Sequence, residues 1–527
     1  MSQPLFRAFA TVGGYTLISR VTGFVRDTLM ATFLGASTSA DAFFIAQAFP
    51  NLFRSLFAEG AFSAGFVPIF AQMLERDGKD RAKQFADQAF AVLTVILIAF
   101  CAVMMIAMPV ALYLMAPGFD EIPGQMERTT ELARIAFPYL LFVSLTSLQS
   151  GMLNALGRFA VSAAAPVLGN ITLIAALLIG VGAGGDRAVF LSWGIFATGI
   201  VQFLWLLLDC RRAGVGFHLV RPRLTPEVKQ LLGRILPVAF GAGMYQINLL
   251  INRSIASLIG VGAVSWIYYA DRVNLLPVGI FGYAIGVALL PLLTRQIQAG
   301  QEETAIGSQN RAIEVSLLLT IPAAVGIAML AEPITATLFE HGQFTAHDRA
   351  MVASALLAFS LGLPAYVLNK ALTPGFFARH DMRTPVKASA VALVVNVTIN
   401  VALTDTLGHV GIAVGTTVSA WVNAAILAVI LHRRRYMVAD ERLRRRLPRM
   451  VLASAVMGLA LWGGTMAVIH VMGPVFGTPG EPAGSNALRV IALSMLIGGG
   501  MCVFAAAAFL TGAASRADLA LLKRRRS

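Results

Sequence analysis

The sequence predicts an all-α polytopic membrane protein of about 14 transmembrane helices, arranged as two six-helix lobes around a central cavity with two further C-terminal helices. Three observations predict it. The 527 residues are 57% hydrophobic and only 13% charged, with a mean hydropathy of +0.74, far more apolar than the roughly half-apolar, quarter-charged composition of a soluble globular chain. Apolar runs long enough to cross a bilayer recur roughly every 35 residues from end to end, which leaves no room for a soluble domain. Positive charge gathers in alternate connecting loops.

In the first half the runs fall near 5–34, 38–72, 85–112, 132–155, 160–180 and 188–209. The first is not read as a secretory signal, because Arg20, Arg26 and Asp27 interrupt it where a cleavable apolar region carries no charge. A basic, proline-containing connector follows. The second half gives runs near 235–260, 265–294, 312–331, 350–374, 385–404 and 410–432, then 449–472 and 488–512. The predicted organisation is therefore an N-terminal lobe 1–210, a cytoplasmic connector 211–234, a C-terminal lobe 235–432, and a terminal pair of helices with a basic loop and tail in 433–527.

A net charge of +14 fits either nucleic acid or an anionic membrane surface, and its distribution decides for the membrane. About 29 Lys and Arg lie in one set of loops, including Arg211–Arg234, Arg433–Arg449 and the Lys523–Arg526 tail. About four (Arg128, Arg187, Arg349 and Arg489) lie in the other. Both termini are expected on the cytoplasmic side. Cys101, Cys210 and Cys502 have no paired spacing, so neither disulfides nor a metal site is indicated, and no motif asks for a cofactor.

The halves read as a parallel repeat. Pro68-Ile69-Phe70 echoes Pro291-Leu292-Leu293, and Asn170-Ile171-Thr172 echoes Asn396-Val397-Thr398, at offsets of 223 and 226 residues. Repeats of this kind place a substrate site between two lobes near the bilayer midplane.

Ionisable residues inside such runs are costly unless they face a partner or water, so they mark function. The first two runs carry Arg20, Arg26, Asp27, Asp41, Arg54 and Glu59, with Ser19 and Asn51 beside them. The seventh carries Gln246, Asn252 and Arg253, and the eighth carries Asp271 and Arg272. With a turn near Ala36, Arg20 and Arg54 lie about 16 and 18 residues from it, hence at similar depth. Arg26 and Asp41 would lie nearer the outer face as a gate pair, with a bend at Gly23 letting Arg20 and Arg26 share one cavity. The arginines outnumber nearby acids, and a planar guanidinium fork suits phosphate oxygens, so a phosphate or diphosphate is the expected ligand. Each arginine pairing with a neighbouring carboxylate to lock helices is the competing reading, strongest for Arg253.

Other patterns carry less. Gly180, Gly182 and Gly185 match a nucleotide-binding glycine spacing but follow no strand. Gly282 and Gly286 suggest close helix packing. His341, His347 and His380 read as solvated loop residues.

Several segments together resemble the MurJ (MviN) lipid II flippase family of the multidrug/oligosaccharidyl-lipid/polysaccharide exporter superfamily. They are Ser19-Arg20-Val21-Thr22-Gly23-Phe24-Val25-Arg26-Asp27, Asp41-Ala42-Phe43-Phe44, Pro50-Asn51-Leu52-Phe53-Arg54 and Phe57-Ala58-Glu59-Gly60-Ala61-Phe62. Ser265-Trp266-Ile267-Tyr268-Tyr269-Ala270-Asp271-Arg272, His341-Gly342-Gln343-Phe344-Thr345 and Pro374-Gly375-Phe376-Phe377-Ala378-Arg379 continue the likeness in order. The resemblance implies a non-enzymatic carrier in the bacterial cytoplasmic membrane, moving the undecaprenyl-diphosphate-linked peptidoglycan precursor outward by alternating access. It implies essential cations at Arg20, Arg26, Arg54 and Arg272 and an essential acid at Asp41, with Asp27 and Glu59 also on motif positions. Arg253 matches none. Membrane lipids and the cell-wall synthesis machinery are the implied partners, and nucleic acid is not. A flippase for another polyprenyl-diphosphate oligosaccharide, or a cation-coupled drug exporter, stands as the alternative; an exporter of cations would want a net acidic cavity. A glycosyltransferase would need acids in its outer loops that form a motif, and Asp120, Glu121, Glu127, Glu131 and Glu332 do not.

Overall fold

The computed structural model describes residues 3–55, 62–218, 220–477 and 483–514, and holds helices and turns but no strand among them. It divides into two compact units, Met1–Ser265 and Trp266–Ser527. In the first unit α1 (Gln3–Leu34) is followed by α2 (Thr38–Arg54), α3 (Phe62–Arg76), α4 (Gly78–Met115) and a 3-10 turn (Pro117–Glu121). Then come α5 (Gln125–Ala136), α6 (Tyr139–Ala155), α7 (Phe159–Gly182), α8 (Arg187–Arg212) and α9 (Pro226–Ser257). Next, α10 (Ala263–Pro277) starts just before the division and runs into a π-helical turn (Val278–Gly282) and α11 (Tyr283–Gln298). The second unit continues with α12 (Glu302–Met329), α13 (Ala331–Leu338), α14 (Ala346–Ser360), α15 (Leu363–Phe377), α16 (Arg383–Leu407), α17 (His409–Arg433), α18 (Glu441–Met472) and α19 (Asn486–Leu510).

Local chemistry sets the breaks. Gly35 takes a left-handed φ of 63° between α1 and α2, and the Ser37 hydroxyl accepts from the Ala40 N–H to cap α2. Asp186 caps α8 through the N–H groups of Ala188 and Val189, and Thr345 with Asp348 closes a capping box on α14. Pro138 and Pro364, which lack an N–H, stand where α5 gives way to α6 and α14 to α15.

Among the described residues, ten helical segments are long and apolar enough to span a membrane. They are α4, α5 with α6, α7, α8, α12, α14 with α15, α16, α17, α18 and α19. The other expected spans are α1, α2 with α3, α9, and α10 with α11. Those are the segments on which every candidate cavity residue was placed. In α1 the charges Arg20, Arg26 and Asp27, which weaken its apolar signal, are also what makes it informative.

Each unit has its own core. In the first, Phe66, Phe70 and Phe85 stack against Leu148, Met152, Leu206 and Leu231, packing α3 between α4, α6 and the start of α9. In the second, Leu293, Leu317, Phe376, Leu427, Leu431 and Met450 join α11, α12, α15, α17 and α18. The terminal pair is fastened by charge at both ends. Buried Glu314 of α12 takes Arg311, Arg442 and Arg446, while Arg311 also reaches Asp440. At the other end Arg489 of α19 donates to the Ala336 and Glu340 carbonyls. Arg349, fully buried, pairs with Glu340 at 2.7 Å. Sequence reading took Arg349 and Arg489 as loop charges; both are buried in these contacts, because their carboxylate and carbonyl partners replace water.

Two smaller expectations change. A Cβ on Gly286 would meet open space and one on Gly282 only ordinary contacts, so that pair is not a tight packing motif; Gly282 ends the π-helical turn. His341 is half-buried, its Nε2 lies 3.2 Å from the Thr337 carbonyl, and burial together with Arg489 holds its pKa below the usual value. Gly180 and Gly185 lie where a Cβ would strike Phe190, which accounts for those glycines by packing.

Candidate functional site

α1 crosses α7 over a length that includes Gly23, and the crossing is built around one polar side chain. Asn170 of α7, buried, donates from Nδ2 to the Ser19 carbonyl (2.9 Å) and to the Thr22 hydroxyl (3.1 Å). Its Oδ1 accepts from Arg26 Nη1 at 2.9 Å. A Cβ on Gly23 would come within 3.3 Å of Asn170 Nδ2, and α1 continues as a single helix through this position. Gly23 thus lets the two helices approach, a use the sequence had assigned to bending.

Arg26 is held from a second side. Its Nε and Nη2 donate to Asp27 Oδ1 at 3.0 and 2.7 Å, with the Arg26 side chain 12% and the Asp27 side chain 5% exposed. Arg54, in the last turn of α2, donates from Nε to Asn51 Oδ1 at 3.1 Å. Arg20 is half-buried on α1. Glu59 lies outside the described residues.

Asp41 sits in the first turn of α2, completely buried. Its carboxylate accepts the Gly262 N–H at 2.6 Å, the Ser265 N–H at 2.9 Å and the Ser265 hydroxyl at 2.5 Å. These groups open α10, so the carboxylate meets two helix N-termini, where partial positive charge favours an anion. Asp41 is thereby joined to the start of α10, and Arg26 to Asp27 and Asn170.

Of the remaining candidates, Asn252 is buried and donates to Asn248 Oδ1 at 3.4 Å, while Gln246 and Arg253 are half-buried on the same helix. In the second unit the Arg272 guanidinium lies 4.6 Å from the ring centre of Tyr268, a cation–π arrangement that keeps its charge while ordering its plane; Asp271 beside it is half-buried. Among the described residues no group of three or more His, Cys, Asp or Glu is placed to hold a metal ion.

Sequence reading missed two polar residues here. Asn170 was noted only as a repeat marker, although an asparagine in an apolar run already signals a buried hydrogen-bonding role. Lys370 lies inside α15, exposed, with its Cγ 3.6 Å from where a Cβ on Gly282 would stand. A lysine well inside an apolar run was the available signal.

These guanidinium groups, set on otherwise apolar helices, suit an anionic ligand with planar oxygen pairs. The family model described as "Lipid II flippase MurJ" matches residues 30–477. A Rhizobium tropici protein named probable lipid II flippase MurJ is 42% identical over 525 residues, covering 99% of this chain and 96% of its own length. The chain belongs to the lipid II flippase MurJ family. A solved structure of lipid II flippase MurJ in an inward closed conformation superposes with a TM-score of 0.78 at 22% identity, covering 95% of this chain and 98% of its own. An inward-facing multidrug resistance MATE transporter of the MOP superfamily gives a TM-score of 0.66 at 18% identity, over 79% of this chain and 94% of its own. At those identities the two structures establish the shared transporter fold. The chain is a multi-pass membrane protein of that fold.

Proposed function

We propose that this chain carries lipid II, the undecaprenyl-diphosphate-linked peptidoglycan precursor, from the cytoplasmic to the outer leaflet of the bacterial cytoplasmic membrane. The observation that carries the reading is family membership over almost the whole chain. The half-buried arginines Arg20, Arg26, Arg54 and Arg272 support it, since a planar guanidinium on an otherwise apolar helix suits a diphosphate. The carrier performs no covalent chemistry: its lobes, residues 1–210 and 235–432, alternate in access while the guanidinium groups replace the water that a diphosphate loses on leaving the leaflet.

Both termini and the connector 211–234 lie in the cytoplasm, on the strength of the Lys and Arg asymmetry between loops. A periplasm-dependent reporter fused after Arg212 should be silent; an active one contradicts this orientation. The cell-wall polymerising machinery then receives the cargo on the outer side. Depleting the protein and assaying lipid II by leaflet tests the function. Accumulation in the inner leaflet is expected, whereas accumulation in the outer leaflet would assign the chain a later step.

A further inference from the structure

We propose that Asn170 is a positioning residue for substrate recognition: its carboxamide fixes the plane of the Arg26 guanidinium and locks that arginine to the backbone of α1. The role rests on the lipid II reading above for its ligand, but its geometry is independent of it.

The amide has only one orientation that satisfies its neighbours. Arg26 can only donate and the Ser19 carbonyl can only accept, so Oδ1 must face Nη1 and Nδ2 must face Ser19, as found at 2.9 Å each. Both bonds to Asp27, from Nε and Nη2, end on the single oxygen Oδ1, about which the guanidinium could still pivot, and Asn170 on Nη1 supplies the second point of attachment that fixes the plane. The same carboxamide grips Thr22, and Gly23 leaves room for it, so any shift of α7 against α1 moves the guanidinium with it.

The repeat makes the assignment sharper. Asn396, the counterpart of Asn170 on α16, is fully buried and lies against Thr416 (3.4 Å) and Asn400 (3.2 Å), an uncharged set. An asparagine at this position therefore joins neighbouring helices in both halves, and in the first half it also takes a cation. Preorganising a guanidinium before its ligand arrives removes an ordering cost from binding, so losing Asn170 should weaken binding through Arg26.

The test uses the full chain in lipid nanodiscs, with lipid II as the probe and phenylglyoxal modification of Arg26, read by peptide mass spectrometry, as a local readout. Asn170→Ala should weaken lipid II binding roughly tenfold, the scale of one hydrogen bond to a charged group, and raise the Arg26 modification rate severalfold while leaving Arg54 unchanged. Asn170→Asp keeps the shape but sets a second carboxylate on Arg26 and a repulsive oxygen against the Ser19 carbonyl. It should bind at least as poorly as Asn170→Ala, the reverse of what a space-filling role predicts. In an Arg26→Gln background Asn170→Ala should cost nothing further. Unchanged Arg26 reactivity in Asn170→Ala overturns the proposal, as does an equal loss of affinity in both backgrounds. If the wild-type chain fails to bind lipid II, the ligand reading falls; the modification rate at Arg26 still decides the role of Asn170.

Discussion

Asp41→Asn should open the start of α10. The carboxylate accepts three hydrogen bonds there, two from backbone N–H groups and one from the Ser265 hydroxyl. Asparagine retains a single acceptor oxygen, which can keep the two bonds to Ser265. Its NH2 then replaces the oxygen that stood 2.6 Å from the Gly262 nitrogen and faces another donor. One charge-assisted bond is lost and a buried N–H is left unmatched, a cost of about 2–4 kcal/mol. At about 1.4 kcal/mol per factor of ten, the Gly262 amide should exchange with solvent deuterium roughly 30- to 1,000-fold faster. Amides at the start of α8, capped by Asp186, should keep their rates. Transport should fall in parallel. Unchanged exchange at Gly262 and Ser265 would refute the reasoning, and so would equal acceleration at α8, which would mean global loosening.

Arg20→Lys, Arg54→Lys and Arg272→Lys should each impair transport in cells at near-normal expression, because lysine keeps the charge and loses the fork; wild-type growth of all three at native expression would make a direct diphosphate role untenable. Arg349→Met leaves buried Glu340 with the Ala483 N–H but without its cation, which should cost about 3–5 kcal/mol in thermal unfolding in detergent, and adding Glu340→Gln should restore part of it. A double variant no more stable than Arg349→Met would contradict the pairing account. The membrane potential should drive the cycle, since an inside-negative potential contributes roughly 2.3 kcal/mol per charge per 100 mV to outward movement of an anionic headgroup and pulls the empty cationic cavity back. Collapsing the potential while holding the proton and sodium gradients should stop export, and undiminished export would refute this.

The membrane-spanning helices were legible because hydropathy reports burial in lipid directly: the described residues of the expected runs lie mostly in helices, some of them broken in two, as at 132–155 and 350–374. Charged positions such as Arg26 and Arg272 were equally visible, since a charge in an apolar run stands out against its neighbours. Partners were not. Asp41 finds backbone amides more than two hundred residues away, at Gly262 and Ser265, and backbone donors leave no mark on a sequence. Arg26 turns to its neighbour Asp27 and to Asn170, a choice fixed by how closely α1 can approach α7 at Gly23. Spacing gave Gly23 a plausible use as a hinge; only the neighbouring helix shows it as clearance.

The central claim is best tested with the purified chain in vesicles holding labelled lipid II in one leaflet, scored by access of an impermeant quencher from the other side. Wild-type protein should carry the label across, faster under a potential negative on the starting side, and Arg54→Ala should reduce the rate toward that of protein-free vesicles. Wild-type vesicles indistinguishable from protein-free ones, at confirmed insertion and with the potential applied, would contradict the account.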